Sequence, residues 1–293
     1  MFLQKPINMF FKSILTLLAL IIASWSFAQD ENAAVKSKKF EFKEDVSRKG
    51  RMYLYWGYNR SSYTTSTIHF TGDDYDLKFA DVEATDRPSK LAADPYLDLG
   101  KFTIPQFNIR LGYYLNDRLS LSIGTDHMKY IMKNNQLKQG TGFIDTVGGT
   151  RVDYDKSQML IGNDFVYLEH SDGFNYASID LEYNVPVWIS PSKKFYVDAI
   201  GGFGLGLTVP KTLVVINGVK LDNKWHVSGG GLNLKAGARF TFWTNFFFEG
   251  AAKTGYVWMP NILTTEIGRA QAKQNLGWVE VYMAIGISVP LSK

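Results

Sequence analysis

From Arg51 onward every second side chain is apolar in one segment after another, and this alternation constrains the fold more than any other feature of the chain. Period 2 belongs to extended backbone with one face against an apolar phase. The pattern holds over approximately 51–60, 102–115, 118–132, 174–188, 194–209, 230–243, 245–258 and 276–290, which makes eight predicted strands. Most exceed the roughly 5 to 6 residues of an average globular strand and match the roughly 9 to 11 needed to cross a bilayer at a tilt. Their connections are unequal. Asn116-Asp117, Ser190-Pro191-Ser192 and little more than Thr244 make tight joins, whereas 61–101, 133–173, 210–229 and 259–275 are long. Short turns on one rim and long loops on the other are the pattern of a membrane-spanning antiparallel barrel, with an even strand count leaving both termini on the short-turn rim.

The two faces of each segment differ in kind. Segment four sets Ala177, Ile179, Leu181, Tyr183 and Val185 against Tyr176, Ser178, Asp180, Glu182 and Asn184. Segments two, six and eight split likewise. A soluble ligand-binding barrel has the same period with its apolar face inside, so the polar face decides between the two. In segment five that face carries Tyr196, Asp198, Ile200, Gly202, Gly204 and Gly206, a poor surface for water but a suitable wall for a narrow lumen. Glycines there make room for long side chains such as Lys235 and Arg239 from the next strand. This orientation places Arg110, Asp180, Glu182, Asp198, Lys235, Arg239, Glu249, Lys253 and Glu280 in one lumen charge network. Charges in so narrow a space have to be paired or hydrated, so an ion-paired plug is expected rather than a wide aqueous pore.

Aromatics cluster at segment ends, with Tyr113, Trp188, Phe195, Trp243 and Phe246 by the short turns and Trp56, Tyr58, Tyr256 and Trp258 by the long loops. Two interfacial girdles account for them. Segment three fits less well: Leu119, Leu121 and Ile123 face lipid, but Thr125, His127 and Lys129 follow on the same face, so a bulge near Thr125 or exit from the membrane is expected there. Within the long loops, Ser66–Phe70 and Tyr75–Glu83 alternate about Gly72-Asp73-Asp74, and Gly142–Arg151 does so about Gly148-Gly149, predicting hairpins that carry the wall above the membrane. Loops 61–101 and 133–173 also hold Tyr63, Phe70, Tyr75, Phe79, Tyr154, Phe165 and Tyr167, side chains suited to an extracellular ligand or surface partner.

Ahead of the barrel, Lys5 and Lys12 precede an apolar run from Ile14 to Trp25 that ends in Ser26-Phe27-Ala28, which reads as a signal peptide over 1–28. Residues 29–50, polar and lysine-rich, read as a flexible periplasmic segment, and 51–293 as the barrel domain. Among 293 residues there is no cysteine, which removes disulfides, thiolate chemistry and cysteine-held metals. A net charge of +4 spread over 32 basic and 28 acidic residues offers no stripe for nucleic acid.

Through the signal peptide and the whole span from Arg51 to Leu291, the chain resembles the small eight-stranded outer-membrane β-barrel families, of the OmpA transmembrane domain and OmpX type. The resemblance implies an outer-membrane location and outer-membrane lipid as a neighbour. It does not choose between a structural or surface-interaction role, a narrow channel for small solutes and a lipid-modifying enzyme. For the last, Glu169-His170-Ser171-Asp172-Gly173 is similar to the His-x-Ser-Asn site of lipid A deacylases, with His170 as base and Ser171 as nucleophile. Adjacent residues of an extended strand point to opposite faces, which argues against that pair. Gly202-x-Gly204-x-Gly206 follows period 2 rather than a dinucleotide loop, Asp73, Asp74 and Asp76 read as a turn rather than a calcium site, and His69, His127 and His226 lack ligand spacing. No cofactor, metal or catalytic activity is expected; the leading reading is a plugged barrel whose long loops meet the surroundings.

Overall fold

The computed structural model describes residues 46–90, 92–98, 100–101, 103–146, 148–222, 224–265 and 270–291. The expected signal peptide and most of the lead-in lie outside them. In chain order the strands are β1 (Arg51–Tyr63), β2 (Ser66–Thr71), β3 (Tyr75–Val82), β4 (Ala84–Thr85), β5 (Phe107–Tyr114), β6 (Leu119–Met132), β7 (Gln136–Asp145), β8 (Arg151–Ile161), β9 (Val166–Ile189), β10 (Phe195–Thr208), β11 (Leu213–Ile216), β12 (Val219–Asp222), β13 (Gly229–Phe242), β14 (Phe246–Leu263) and β15 (Gln271–Pro290). One short helical turn, Ala93–Tyr96, interrupts the first long connection.

Eight of these strands form a closed antiparallel ring in the order β1, β5, β6, β9, β10, β13, β14, β15. The last and first strands close it, pairing from Arg51 with Pro290 to Tyr63 with Trp278. Closure leaves the ring no open sheet edge along the wall, the condition for crossing hydrocarbon. The turn between β13 and β14 places both Trp243 and Thr244 at positive φ (52° and 64°), the twist of a tight hairpin turn.

Outside, the ring carries a belt of exposed apolar side chains that includes Leu121, Ile123, Ile179, Phe203, Leu234, Phe248, Val281 and Ile285, with Met283 as much as 77% exposed. So continuous an apolar surface is far larger than a soluble monomer tolerates, and it fits a lipid-facing wall.

The other strands extend this wall beyond the long-loop rim. β2 takes up the upper end of β15, β3 pairs with β2, β7 with β3, and β8 with β7. These are the two predicted hairpins. On the opposite side β11 adds to the top of β9 and pairs with β12, a hairpin about Asn217-Gly218 inside the connection expected as a long loop. The extension encloses its own apolar core, in which Ile68, Leu77, Phe79, Met128, Leu168, Val214 and Met259 are completely or almost completely buried. Here the polarity of the membrane zone is reversed. The inward face is apolar and the outward face polar, because the surroundings above the membrane are water.

That core corrects one expectation. Phe70, Phe79 and Tyr167 are buried, and Tyr63, Tyr75, Tyr154 and Phe165 pack partly buried against them, so the loop aromatics hold the extension together and are not a contact surface.

Segment three is also resolved. In β6 the inward series Ser120, Ser122, Gly124, Asp126, Met128, Tyr130, Met132 continues unbroken, and the irregularity lies in its partner β9, where pairing slips between Met128 with Phe174 and Tyr130 with His170. Gly173, at φ 133°, makes that bulge. The outward residues have left the lipid: His127 stacks on Phe107 at 4.9 Å, and Lys129 donates to the Ile104 carbonyl of the first long connection.

Candidate functional site

Two regions concentrate chemistry, the lumen within the membrane zone and the extension above it. In the lumen five cationic side chains (Arg48, Arg110, Lys235, Arg239, Lys253) meet six carboxylates (Asp126, Asp180, Glu182, Asp198, Glu249, Glu280), each at most 5% exposed. Alternation on seven different strands and the lead-in delivers them to one axis.

The network is layered. At the short-turn mouth Arg48 pairs with Asp198 and lies over the Tyr196 ring at 5.0 Å. Residues 46–50 fall in the segment read as a flexible lead-in, yet they are tied to the barrel. The Asp117 carboxylate accepts from the backbone N–H of Arg48 and Lys49 at 2.7 and 2.9 Å, and the Arg48 guanidinium donates to the Asp117 carbonyl. Burial alone would raise the Asp117 carboxyl, but those two donors and the nearby Arg48 and Lys49 charges hold it below its ordinary value.

Above the mouth, Arg239 places Nε and Nη2 on Glu249 Oε2 at 2.8 and 2.5 Å, and stacks over Phe247 at 4.4 Å. Lys235 bridges Glu182 at 2.5 Å and Glu249 at 3.1 Å. The phenols of Tyr53 and Tyr282 donate to Glu182 and Glu249 at 3.0 and 2.7 Å. Higher still, Arg110 pairs with Asp180 at 2.9 Å, and Lys253 joins Asp126 at 2.6 Å to Asp180 at 3.1 Å. Glu280 differs: it accepts only from the Asn108 amide, at 3.2 and 3.3 Å, and forms no ion pair among the described residues.

All nine lumen residues singled out in the sequence thus line one interior, and Arg48, Asp126 and the tyrosine donors complete it. Asp126 was findable by continuing the alternation Ser120, Ser122, Gly124; the polar residues on the opposite face obscured it. Arg48 gives no periodic signal. The glycine reading needs correction. The space over Gly204 and Gly206 is taken by Asp180, Asn233 and Tyr176, where an added Cβ would stand 1.9 Å from Asp180 Oδ1 and 2.6 Å from the Tyr176 ring, and not by Lys235 or Arg239. Asn59 is a lumen residue as well, bonded to Asn108 at 3.0 Å.

Above Trp278 and Tyr176, which meet at 5.4 Å, the ion pairs give way to the apolar core. His170 sits within this core, wholly buried, with Nδ1 on Thr212 at 2.9 Å. Ser171 faces the other side of the strand and is half-buried, so the two do not form a base and nucleophile pair. On that outer side Glu169 takes the Arg87 guanidinium at 2.6 Å and the Tyr167 hydroxyl at 2.7 Å, tying the first long connection to β9. His69 pairs with Asp76 at 2.8 Å and His127 with Asn175 at 2.7 Å.

No protein-family model and no curated protein matches the chain. Solved structures similar to it include the outer membrane protein OprG from Pseudomonas aeruginosa, 8% identical over 83% of this chain and 97% of that one, with a TM-score of 0.38. Neisserial surface protein A is 10% identical over 79% and 96%, with a TM-score of 0.31. Ail, the attachment invasion locus protein of Yersinia pestis, is 12% identical over 80% and 99%, with a TM-score of 0.28. The architecture stands on ring closure and the apolar belt: the chain folds as a small, closed, eight-stranded antiparallel β-barrel with a lipid-facing outer wall.

Proposed function

We propose that the protein is a closed, non-conducting barrel that holds a rigid β-sheet extension at the cell surface as a contact platform for an extracellular partner. The observation that carries this reading is the continuity of the apolar core from the top of the ring into the extension, which makes the long loops one folded body rather than independent strands of chain. Ion pairs below and the apolar core above fill the interior in succession, leaving the outer surface as the place for interaction. On that surface Leu137 and Leu160 face each other across β7 and β8 and are 64% and 60% exposed, an apolar pair that the fold of this chain does not use.

Cells displaying the full chain, the Leu137→Ser/Leu160→Ser variant or a chain lacking residues 142–151 are to be compared for adhesion to glass, to like cells and to matrix-coated plates. Reduced adhesion by both variants, with the heat-dependent gel shift of the barrel unchanged, supports the platform. Equal adhesion of all three, or of displaying and non-displaying cells, overturns it.

A further inference from the structure

Where β15 passes from one partner to another the wall has a cleft. At Trp278 it pairs with Tyr63 of β1, and by Gln274 it pairs with Ile68 of β2. Between them the chain turns outward through Thr64, whose N–H donates to the Gly277 carbonyl at 2.9 Å. The result is a polar depression of about 430 Å³ on the outside of the barrel.

Its lining is basic and rich in hydroxyls. Lys78, His69 and Lys273 occupy one row across β3, β2 and β15, since His69 pairs with both lysines in the strand register. Thr67 and Asn275 stand beside them. His69 is engaged by Asp76, but Lys78 and Lys273 have no carboxylate partner among the described residues. Other lysines of the extension do: Lys133 and Lys138 hold Glu83 at 2.9 and 3.2 Å, and Lys211 holds Asp172 at 2.9 Å.

Height decides what meets this row. Trp258 pairs with Asn275, Tyr256 with Gly277, and both aromatics are exposed on the outer wall, at the girdle where hydrocarbon ends. Lys273 is two residues above Asn275, hence about 7 Å higher at the usual rise of a strand. The cleft opens sideways: its row alternates with the buried Ile68, Phe70, Leu77 and Ala272, and so points away from the core. Two ammonium groups without a carboxylate partner among the described residues, just above an aromatic girdle and facing the bilayer, stand at the level of lipid headgroups.

We propose that this cleft binds the phosphate of an outer-leaflet lipid headgroup, held by Lys78 and Lys273 and by hydrogen bonds from Thr67 and Asn275. The site is distinct from the contact platform and stands whether or not that reading holds.

The test uses the full chain refolded in neutral detergent, with bound lipid counted by native mass spectrometry. The probes are bisphosphorylated lipid A, the same lipid after dephosphorylation, and inorganic phosphate. The wild type is expected to prefer the phosphorylated lipid by about thirtyfold, the scale of two lysines near an anionic surface. Lys78→Gln/Lys273→Gln, whose changes are on exposed side chains, should lose that preference while keeping the gel shift. Equal retention of both lipids by the wild type, or an unaltered preference in the variant, overturns the proposal. Displacement of the lipid by inorganic phosphate at matching concentration marks a free-anion site and overturns the assignment to lipid.

Discussion

Arg239 and Glu249 face each other across β13 and β14, with two guanidinium nitrogens converging on one carboxylate oxygen at the centre of the barrel. The pair is buried, with the Arg239 guanidinium over the rings of Phe247 and Tyr53. Removing one member of such a pair leaves the other uncompensated and costs about 3–5 kcal/mol, whereas replacing both by apolar groups of similar volume is often close to neutral. Arg239→Ala is therefore expected to lower the unfolding midpoint in urea and lipid vesicles, and Arg239→Met/Glu249→Met to recover most of the loss, because Lys235 keeps Glu182. A double variant as unstable as the single one would refute this account of the lumen.

Glu280 predicts the opposite behaviour. It is the lumen carboxylate without an ion pair among the described residues, in an interior where carboxylates outnumber cations. Glu280→Gln keeps an acceptor for the Asn108 amide and removes a buried carboxyl that has no cation partner among the described residues, so it should match or exceed wild-type stability in the same unfolding experiment. A loss above about 1 kcal/mol, the scale of one net hydrogen bond, would mean that the carboxyl itself is needed.

Conductance reports on the two fillings of the interior. Because the ion-paired layers are followed by an apolar core, opening one leaves the other in place, and both the wild type and Arg239→Ala are expected to be silent in planar bilayers. Stepwise currents from the wild type would show a solute path and count against the plug. Currents from the variant alone would mean that the upper core does not seal.

At the short-turn mouth, Asp117 links the lead-in to the ring through the backbone of Arg48 and Lys49. Its carboxyl is held below its ordinary value, so its contribution is fully present above the unfolded value of about 3.9 and is lost as pH falls through the lower folded value. Proteolysis before Arg51 should accelerate below about pH 4 in the wild type. In Asp117→Asn it should already be faster at neutral pH and change less with acid. Identical pH profiles for the two proteins would remove Asp117 from this role.

The ring was legible because hydrocarbon outside and polar groups inside impose period 2 on every crossing strand. Seven of the eight segments could therefore be placed within about five residues at each end, segment four missing the first eight residues of β9, and the lumen faces could be assigned. Legibility failed where the environment changed. Above the membrane the outside becomes water and the inside an apolar core, so Phe70 and Phe79 on the inner face read as exposed loop aromatics when taken without the strands around them. The bulge at Gly173 concealed the continuity of β9 from Val166 to Ile189, and with it the docking edge for β11. Arg48 escaped because a single side chain folded back into a mouth leaves no pattern in its neighbours.

Gly142 tests whether the extension is a folded body apart from the ring. It lies in β7 at φ 117°, a conformation that favours glycine, and an added Cβ would stand 1.8 Å from the Asp76 carbonyl oxygen of β3. Neither strain nor contact can be relieved without separating β3 from β7, whose pairing runs from Tyr75 with Ile144 to Phe79 with Gly140. Gly142→Ala is thus expected to expose the β7–β8 hairpin to added protease on intact cells. The ring, which shares no strand with that pairing, should retain its resistance to unheated detergent. Loss of the gel shift along with the hairpin would show that extension and barrel fold as one cooperative unit; unchanged protease resistance would mean that β3 and β7 accommodate the methyl group.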